Sequence, residues 1–131
     1  MDDMLNFWSP RLQSVLRIIT AFLFIQHGTQ KMFGFPAPQR AAFELFSMMG
    51  AAGVLEVIGG LLLLIGLFTR PVAFVLSGQM AFAYFMVHAP ASFWPLLNNG
   101  ELAVQWCFLF LFFAAAGGGA WSLDRYLSKK R

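Results

Sequence analysis

The sequence predicts an all-α integral membrane protein. Two observations support this prediction: the amino-acid composition and the length of the apolar stretches. Of its 131 residues, 59% are hydrophobic and only 11% are charged, whereas a soluble domain carries about 25% charged residues. Four apolar stretches approach the ~20 residues that a helix needs to cross about 30 Å of hydrocarbon. These predicted spans cover residues 11–33, 51–69, 71–89 and 101–121. We expect a four-helix bundle that forms a single domain over residues 1–131.

The distribution of basic residues predicts the orientation of the bundle. Four spans place both termini on one side of the membrane, and most basic residues fall on that side. They are Arg11, Arg70, Arg125, Lys129, Lys130 and Arg131, against Lys31 and Arg40 on the other side. By the positive-inside rule both termini are expected in the cytoplasm. The basic tail indicates cytoplasmic anchoring at the lipid bilayer rather than the binding of nucleic acid.

Span one carries a polar stripe on an otherwise apolar helix. The stripe recurs at steps of three or four residues and consists of Gln13, Arg17, Thr20, Phe24, His27 and Lys31. An ionisable side chain in the membrane costs roughly 2.5–3.5 kcal/mol, so the stripe should face the bundle interior. In the link that follows, Arg40, Glu44 and Ser47 lie at i, i+4 and i+7. This spacing predicts a short amphipathic helix on the outer membrane surface.

The other three spans place polar side chains at a similar outer depth. Glu56 in span two is the expected counter-charge of Lys31 or His27. Ser77, Tyr84 and His88 form a stripe on span three, and Glu101 and Gln105 begin span four. The sequence therefore predicts one outer polar site. Its candidate members are His27, Lys31, Glu56, Tyr84, His88, Glu101 and Gln105.

Several of these residues also have purely structural interpretations. Lys31 can extend to the headgroups, and His88 can bond a loop carbonyl. If Asn98 caps span four, Glu101 is its third residue, and a capping box explains the acid without any ligand. On the inner side, Arg17 and Asp124 are expected to form a structural ion pair.

Five sequence blocks, in order, resemble the DoxX family of small four-helix membrane proteins. They are "RIITAFLFIQHGTQKMFG", "GVLEVIGGLLLLIGLFTRPVA", "VHAPASFWP", "NNGE" and "WSLD". The positions that match the family are Arg17, His27, Lys31, Glu56, His88, Glu101 and Asp124. The resemblance implies a multi-pass protein of the cell inner membrane. It implies membership of a membrane redox assembly, such as the membrane subunit of a thiosulfate:quinone oxidoreductase, or a role like that of the cargo receptors and receptor-assembly chaperones among distant relatives.

Three function classes therefore stay open. In a quinone-linked redox subunit, His27 and Glu56 would handle protons, while Lys31, His88, Glu101, Gln105 and Tyr84 would contact the ligand. Such a subunit would have no intrinsic cofactor and would work as a homo-oligomer or within a larger complex. The second class is a non-enzymatic assembly or interaction protein, and the third is a small-molecule transporter. The single cysteine, Cys107, excludes dithiol chemistry by this chain alone, and no dense ligand motif predicts a metal.

Overall fold

The computed structural model describes residues 1–130, so the predicted tail residue Arg131 lies outside the described residues. Every regular element in that range is helical, which confirms the all-α prediction. The elements are α1 (Asp2–Phe33), α2 (Met48–Ile65), α3 (Thr69–Ala83) with a π-helical continuation (Tyr84–His88), α4 (Pro95–Asn98), α5 (Glu101–Ala116) and α6 (Leu123–Ser128). Two of them, Met48–Ile65 and Thr69–His88, are long and apolar enough to cross a membrane.

The described chain divides into two compact units. The first unit contains Met1–Thr69 and the segment that begins at Gly118, so it holds α1, α2 and α6. The second unit is Arg70–Gly117, which holds the rest of α3, its π-helical end, α4 and α5. The candidate site residues are therefore distributed over both units.

Helices α1 and α2 pack against each other in antiparallel directions through glycines. A Cβ added at Gly28 of α1 would lie 2.8 Å from Cβ of Glu56 in α2, and one added at Gly60 would lie 2.5 Å from Cγ1 of Ile25. Neither position can hold a larger side chain without a shift of its neighbour. Small residues permit the close backbone approach by which helices associate in a bilayer, where the hydrophobic effect provides little drive.

The link between α1 and α2 contains no helix, so the predicted amphipathic surface helix is wrong. Helix α1 ends at Gly34, whose left-handed backbone (φ 65°) lets its N–H bond to the carbonyl of Gln30. Ser47, which was expected inside the surface helix, instead has extended backbone angles (φ −90°, ψ 162°) and caps α2 by accepting from the N–H of Gly50. A serine in that conformation ends any preceding helix, and the remaining stretch is too short to be stable alone.

In the second unit, α3 and α5 are joined by a hydrogen bond in which Ser77 Oγ donates to the carbonyl of Cys107 at 2.8 Å. Helix α5 begins at Glu101 and has no side-chain cap, so the predicted Asn98 cap is wrong. Asn98 belongs to α4, and its Oδ1 accepts from the N–H of Gly100 at 2.7 Å. Asn99 in the left-handed region (φ 57°) ends α4 and separates Asn98 from α5.

Candidate functional site

Arg17 lies at the end of the α1–α2 pair where α2 ends, and we call this region the Arg17 end. Its side chain is 1% exposed, and its guanidinium donates to the carbonyls of Gly118 (2.9 Å), Leu64 (2.6 Å), Trp121 (2.6 Å) and Leu63. Leu63 and Leu64 belong to the last turn of α2, where unpaired carbonyls carry the negative end of the helix dipole. The buried cation is therefore stabilised by backbone oxygens from α2 and from the segment before α6.

Asp124 lies in the same region but bonds to the backbone rather than to Arg17. Its two carboxylate oxygens accept from the N–H groups of Phe68 and Thr69, both at 2.8 Å, and its own N–H donates to the carbonyl of Gly66 at 2.9 Å. Among residues 1–130 the two side chains form no salt bridge, although the charge of Asp124 acts on Arg17. The guanidinium joins the C-terminal end of α2 to the segment before α6, and the carboxylate joins α6 to the start of α3.

Ser14 and the glycine run from Gly117 to Gly119 complete the Arg17 end, and the sequence interpretation did not assign either a role there. Ser14 Oγ accepts from the N–H of Trp121 at 2.9 Å and lies 3.2 Å from the carbonyl of Gly118. A Cβ at Gly118 would meet Ser122 and Thr69 within 3.0 Å. The three consecutive glycines were the available signal, because α5 ends at Ala116 before them instead of continuing to 121 as predicted.

At the opposite end of the pair, which we call the Lys31 end, one salt bridge joins α1 to α2. Lys31 Nζ lies 2.5 Å from Glu56 Oε1, which confirms the predicted pairing of Glu56 with Lys31. The Glu56 side chain is 2% exposed and that of Lys31 is 27% exposed. The acid is therefore buried between the helices, while the ammonium retains access to its surroundings.

The link between α1 and α2 folds back onto the Lys31 end. Gln39 Nε2 donates to the backbone carbonyl of Lys31 at 3.2 Å, and Gln30 Nε2 donates to the carbonyl of Pro38 at 3.3 Å. His27 is half-buried one helical turn before Lys31 on α1. The positive charges of Lys31 and Arg40 interact electrostatically with its imidazole ring. The Lys31 end therefore combines a half-buried imidazole, a partly exposed ammonium and a buried carboxylate within about two turns of α1 and α2.

The second unit brings together Tyr84, His88 and Asn98. Tyr84 Oη donates to the carbonyl of Phe93 at 2.5 Å and accepts from Asn98 Nδ2 at 3.3 Å. His88 Nδ1 lies 3.0 Å from the carbonyl of Asn98, so this nitrogen carries the proton, and its ring stacks on Tyr84. His88 thus bonds a backbone carbonyl, as in its structural interpretation, but the carbonyl is that of the last residue of α4 rather than one in a loop.

The second-unit cluster is built on an unusual backbone. Residues Tyr84–His88 form a π-helix, a rare conformation that recurs at functional sites, and the N–H of Ala89 bonds to the carbonyl of Tyr84 at 2.8 Å. Asn98 was not predicted as a site residue, although its place beside a tight turn was a signal. Glu101 and Gln105, which were predicted to contact a ligand, are exposed on α5. Within residues 1–130, no group of three or more His, Cys, Asp or Glu side chains is arranged to hold a metal.

Comparison with known proteins assigns the chain to a family. The model of the DoxX family matches residues 12–89, which include Arg17, Lys31 and Glu56. The chain belongs to the DoxX family. It is therefore a membrane protein, and the two apolar helices of spanning length fit that class.

Several DoxX relatives match almost the whole chain. An uncharacterized protein of Haemophilus influenzae is 42% identical over 128 residues, which cover 94% of this chain and 96% of the relative. The inner membrane protein YqjF of Escherichia coli is 33% identical and covers 88% of this chain and 92% of its own length. An uncharacterized membrane protein of Mycobacterium tuberculosis is 30% identical, and the match covers 88% of this chain and 80% of the relative. No solved structure matches the chain.

Proposed function

We propose that this DoxX protein crosses the cell inner membrane four times with both termini in the cytoplasm, and that its Lys31 end binds a small oxygen-bearing ligand. The ligand we favour is a quinone, which would make the chain the quinone-linked membrane subunit of a redox complex. The observation that carries the proposal is the Lys31–Glu56 salt bridge, in which the acid is 2% and the ammonium 27% exposed.

The chemistry of the pair supports a ligand with carbonyl oxygens. An ammonium has three N–H donors, and the bond to Glu56 Oε1 uses one of them. The partly exposed face of Lys31 leaves room for a carbonyl oxygen to accept another. A bound quinone would accept electrons from a partner subunit together with protons. His27 would pass protons to the quinone, since an imidazole can both take up and release a proton, and Glu56 would hold the Lys31 side chain in place beside the quinone oxygen.

The binding energy of such a site comes from an added hydrogen bond, because the charge of Lys31 is already neutralised by Glu56. Glu56 neutralises Lys31 before the ligand arrives, so the site costs little to maintain in a membrane. A quinone oxygen adds a charge-assisted hydrogen bond without displacing the carboxylate. The packing at Gly28 fixes the distance between α1 and α2 at this level, which keeps both partners in place.

A second function, membrane assembly without catalysis, is favoured by the second-unit cluster. Tyr84 and His88 were expected to contact a ligand, yet both bond to backbone carbonyls of their own corner. Side chains used in this way hold the turn between α3 and α5. An assembly protein needs a rigid turn of this kind between its helices and needs no quinone.

Quinone titration of the purified protein separates the two functions. The protein would be reconstituted in phosphatidylcholine nanodiscs and titrated with a short-chain ubiquinone while its tryptophan fluorescence is followed. We expect saturable binding that weakens at least about tenfold in Lys31→Met, which corresponds to the loss of one charge-assisted hydrogen bond. Lys130→Met, which removes an exposed ammonium from the tail, should bind like the wild type.

Because Lys31→Met leaves Glu56 without its cation, the double variant Lys31→Met/Glu56→Gln provides a neutral version of the same site. It should keep its fold and still bind the quinone weakly. Wild-type protein that shows no saturable binding, or a folded double variant that binds as tightly as the wild type, would overturn the proposed function. Subunits that copurify with the protein would then identify an assembly role.

A further inference from the structure

A groove runs along the first unit between the C-terminal end of α2 and helix α6. Its volume is about 580 Å³, which is within the range of pockets that hold small ligands. The lining residues are Ile65, Ala120, Trp121, Ser122, Leu123, Arg125, Tyr126 and Lys129. The groove is therefore apolar along most of its length, with one basic side chain on α6 and one on the residue that follows it.

The basic side chains beside the groove carry charge that the chain itself does not neutralise. Arg125 on α6 and Lys129, which follows α6 with helical backbone angles, are four residues apart and therefore lie on the same side of the chain, where like charges repel. Among the described residues, neither they nor Lys130 form a salt bridge. The nearest acid along the chain, Asp124, already accepts two backbone hydrogen bonds from Phe68 and Thr69.

The aromatic and aliphatic residues beside these cations are open to the surroundings. Trp121 is 54% exposed, Tyr126 is 55% exposed and Ile65 is 50% exposed. Lys130 Nζ lies 4.6 Å from the ring centre of Tyr126. Tryptophan and tyrosine beside lysine and arginine are typical of the boundary between hydrocarbon and headgroups. The groove thus combines an apolar wall with a cationic end at a membrane boundary.

We propose that this groove binds an anionic phospholipid. The phosphodiester would lie between Arg125 and Lys129, where a guanidinium can donate two parallel hydrogen bonds to phosphate oxygens. An acyl chain would follow Ile65 and Leu123 toward the membrane interior. The occupant is identified by charge complementarity at one end and apolar contact at the other. A soluble anion would use only the first, and a zwitterionic lipid would leave the excess positive charge unbalanced.

The site is independent of the quinone proposal and has a different consequence. The residues that bind the lipid follow directly on the segment whose carbonyls surround Arg17, since Trp121 both lines the groove and accepts from Arg17 Nη2. Lipid binding should therefore stabilise the Arg17 end. An anionic leaflet would favour the folded arrangement of the segment from Gly118 to Ser128.

Lipid titration of the full-length protein tests the site. The protein in neutral detergent micelles would be titrated with phosphatidylglycerol or phosphatidylcholine, and bound lipid counted by native mass spectrometry. We expect phosphatidylglycerol to bind at least about tenfold more tightly than phosphatidylcholine. The variant Arg125→Gln/Lys129→Gln should lose that preference. The control Arg11→Gln/Arg40→Gln removes the same charge outside the groove and should keep it.

Three outcomes would overturn the proposal. The first is equal affinity for the two lipids in the wild type. The second is an equal loss of preference in the control variant, which would show that total charge alone attracts the lipid. The third is competition by inorganic phosphate at the same concentration as the lipid, which would identify the groove as a site for a soluble anion. Melting temperature, measured with each lipid, checks that every variant is folded.

Discussion

Each end of the α1–α2 pair holds a cation from the same stripe of α1, but the two ends stabilise it in different ways. Arg17 donates to four backbone carbonyls, whereas Lys31 donates to the carboxylate of Glu56. The two residues lie about 21 Å apart along the helix at 1.5 Å per residue. Helix α1 thus carries one buried cation and one partly exposed cation, and each is stabilised by a different kind of partner.

The difference between the ends separates a structural role from a chemical one. Backbone carbonyls neither titrate nor move away, so the Arg17 end fixes three chain segments in a single arrangement. A carboxylate and an ammonium can exchange partners and protons, and Lys31 is 27% exposed while Arg17 is 1% exposed. Ligand chemistry is therefore expected at the Lys31 end, and folding is expected to depend on the Arg17 end.

The largest expected effect is the loss of Arg17. Arg17→Met removes four hydrogen bonds that a buried cation donates, although the carbonyls of Leu63 and Gly118 keep bonds from Gly66 N–H and Ser14 Oγ. Because each hydrogen bond from a charged group contributes about 1 kcal/mol or more, the free energy of unfolding should fall by at least about 3 kcal/mol. Arg17→Lys should recover only part of this loss, because an ammonium cannot reach oxygens on separate segments as a planar guanidinium does. Unfolding by denaturant in micelles, followed by circular dichroism, measures both variants.

Arg11 provides the control for Arg17. It lies on the same helix, but its guanidinium donates to the carbonyl of Phe7 and rests on the Phe7 ring, so its contacts are local. Arg11→Met should change the free energy of unfolding by no more than about 0.5 kcal/mol. Equal losses in Arg11→Met and Arg17→Met would show that the carbonyl contacts of Arg17 do not hold the fold.

The next largest effect is expected at the Lys31 end. Glu56→Gln keeps the shape of the side chain but leaves the ammonium without its counter-charge, and should cost about 2 kcal/mol of stability. Lys31→Met should cost a similar amount, and the double variant should cost less than the sum. A coupling energy of at least about 1 kcal/mol would assign the stabilisation to the pair. Strictly additive losses, measured by the same unfolding assay, would contradict the salt bridge.

Prediction from the sequence was most successful where burial of charge dictates a partner. The helical stripe of α1 located Arg17 and Lys31 on one face, and the cost of a buried acid identified Lys31 as a partner of Glu56. Both inferences need only the spacing of residues and the low dielectric of the membrane. The all-helical class followed in the same way from the length of the apolar runs.

Prediction failed where backbone groups compete with side chains for the same partner. Arg17 and Asp124 were expected to meet as opposite charges, but carbonyls at the end of α2 bond to Arg17 and N–H groups at the start of α3 bond to Asp124. A periodic pattern in the link suggested a surface helix, but the extended backbone of Ser47 caps α2 instead. Unpaired backbone groups at helix ends are invisible in a residue pattern, and their hydrogen bonds decided each of these cases.

A smaller effect is expected from the packing beneath the salt bridge. Gly28→Ala places a methyl group 2.8 Å from Cγ2 of Val57, so α1 and α2 must separate at the level of Glu56, at a cost of about 1–2 kcal/mol. Gly78→Ala is the matched control, because an added Cβ there meets nothing within 4 Å. It should leave stability unchanged or raise it by about 0.5 kcal/mol, as alanine favours a helix over glycine. Equal melting temperatures for both variants would show that the helices are not held close at Gly28.

The smallest effects come from two capping serines, one at each end, and these test whether the ends are independent. Ser47 Oγ accepts from Gly50 N–H at 2.9 Å beside the Lys31 end, and Ser122 Oγ accepts from Arg125 N–H at 3.3 Å beside the Arg17 end. Replacing either serine by alanine should cost about 1 kcal/mol. Since the two ends lie far apart, the losses should add within about 0.5 kcal/mol in the double variant. A larger deviation would mean that α1 transmits strain between them, and that a ligand at Lys31 would be sensed at Arg17.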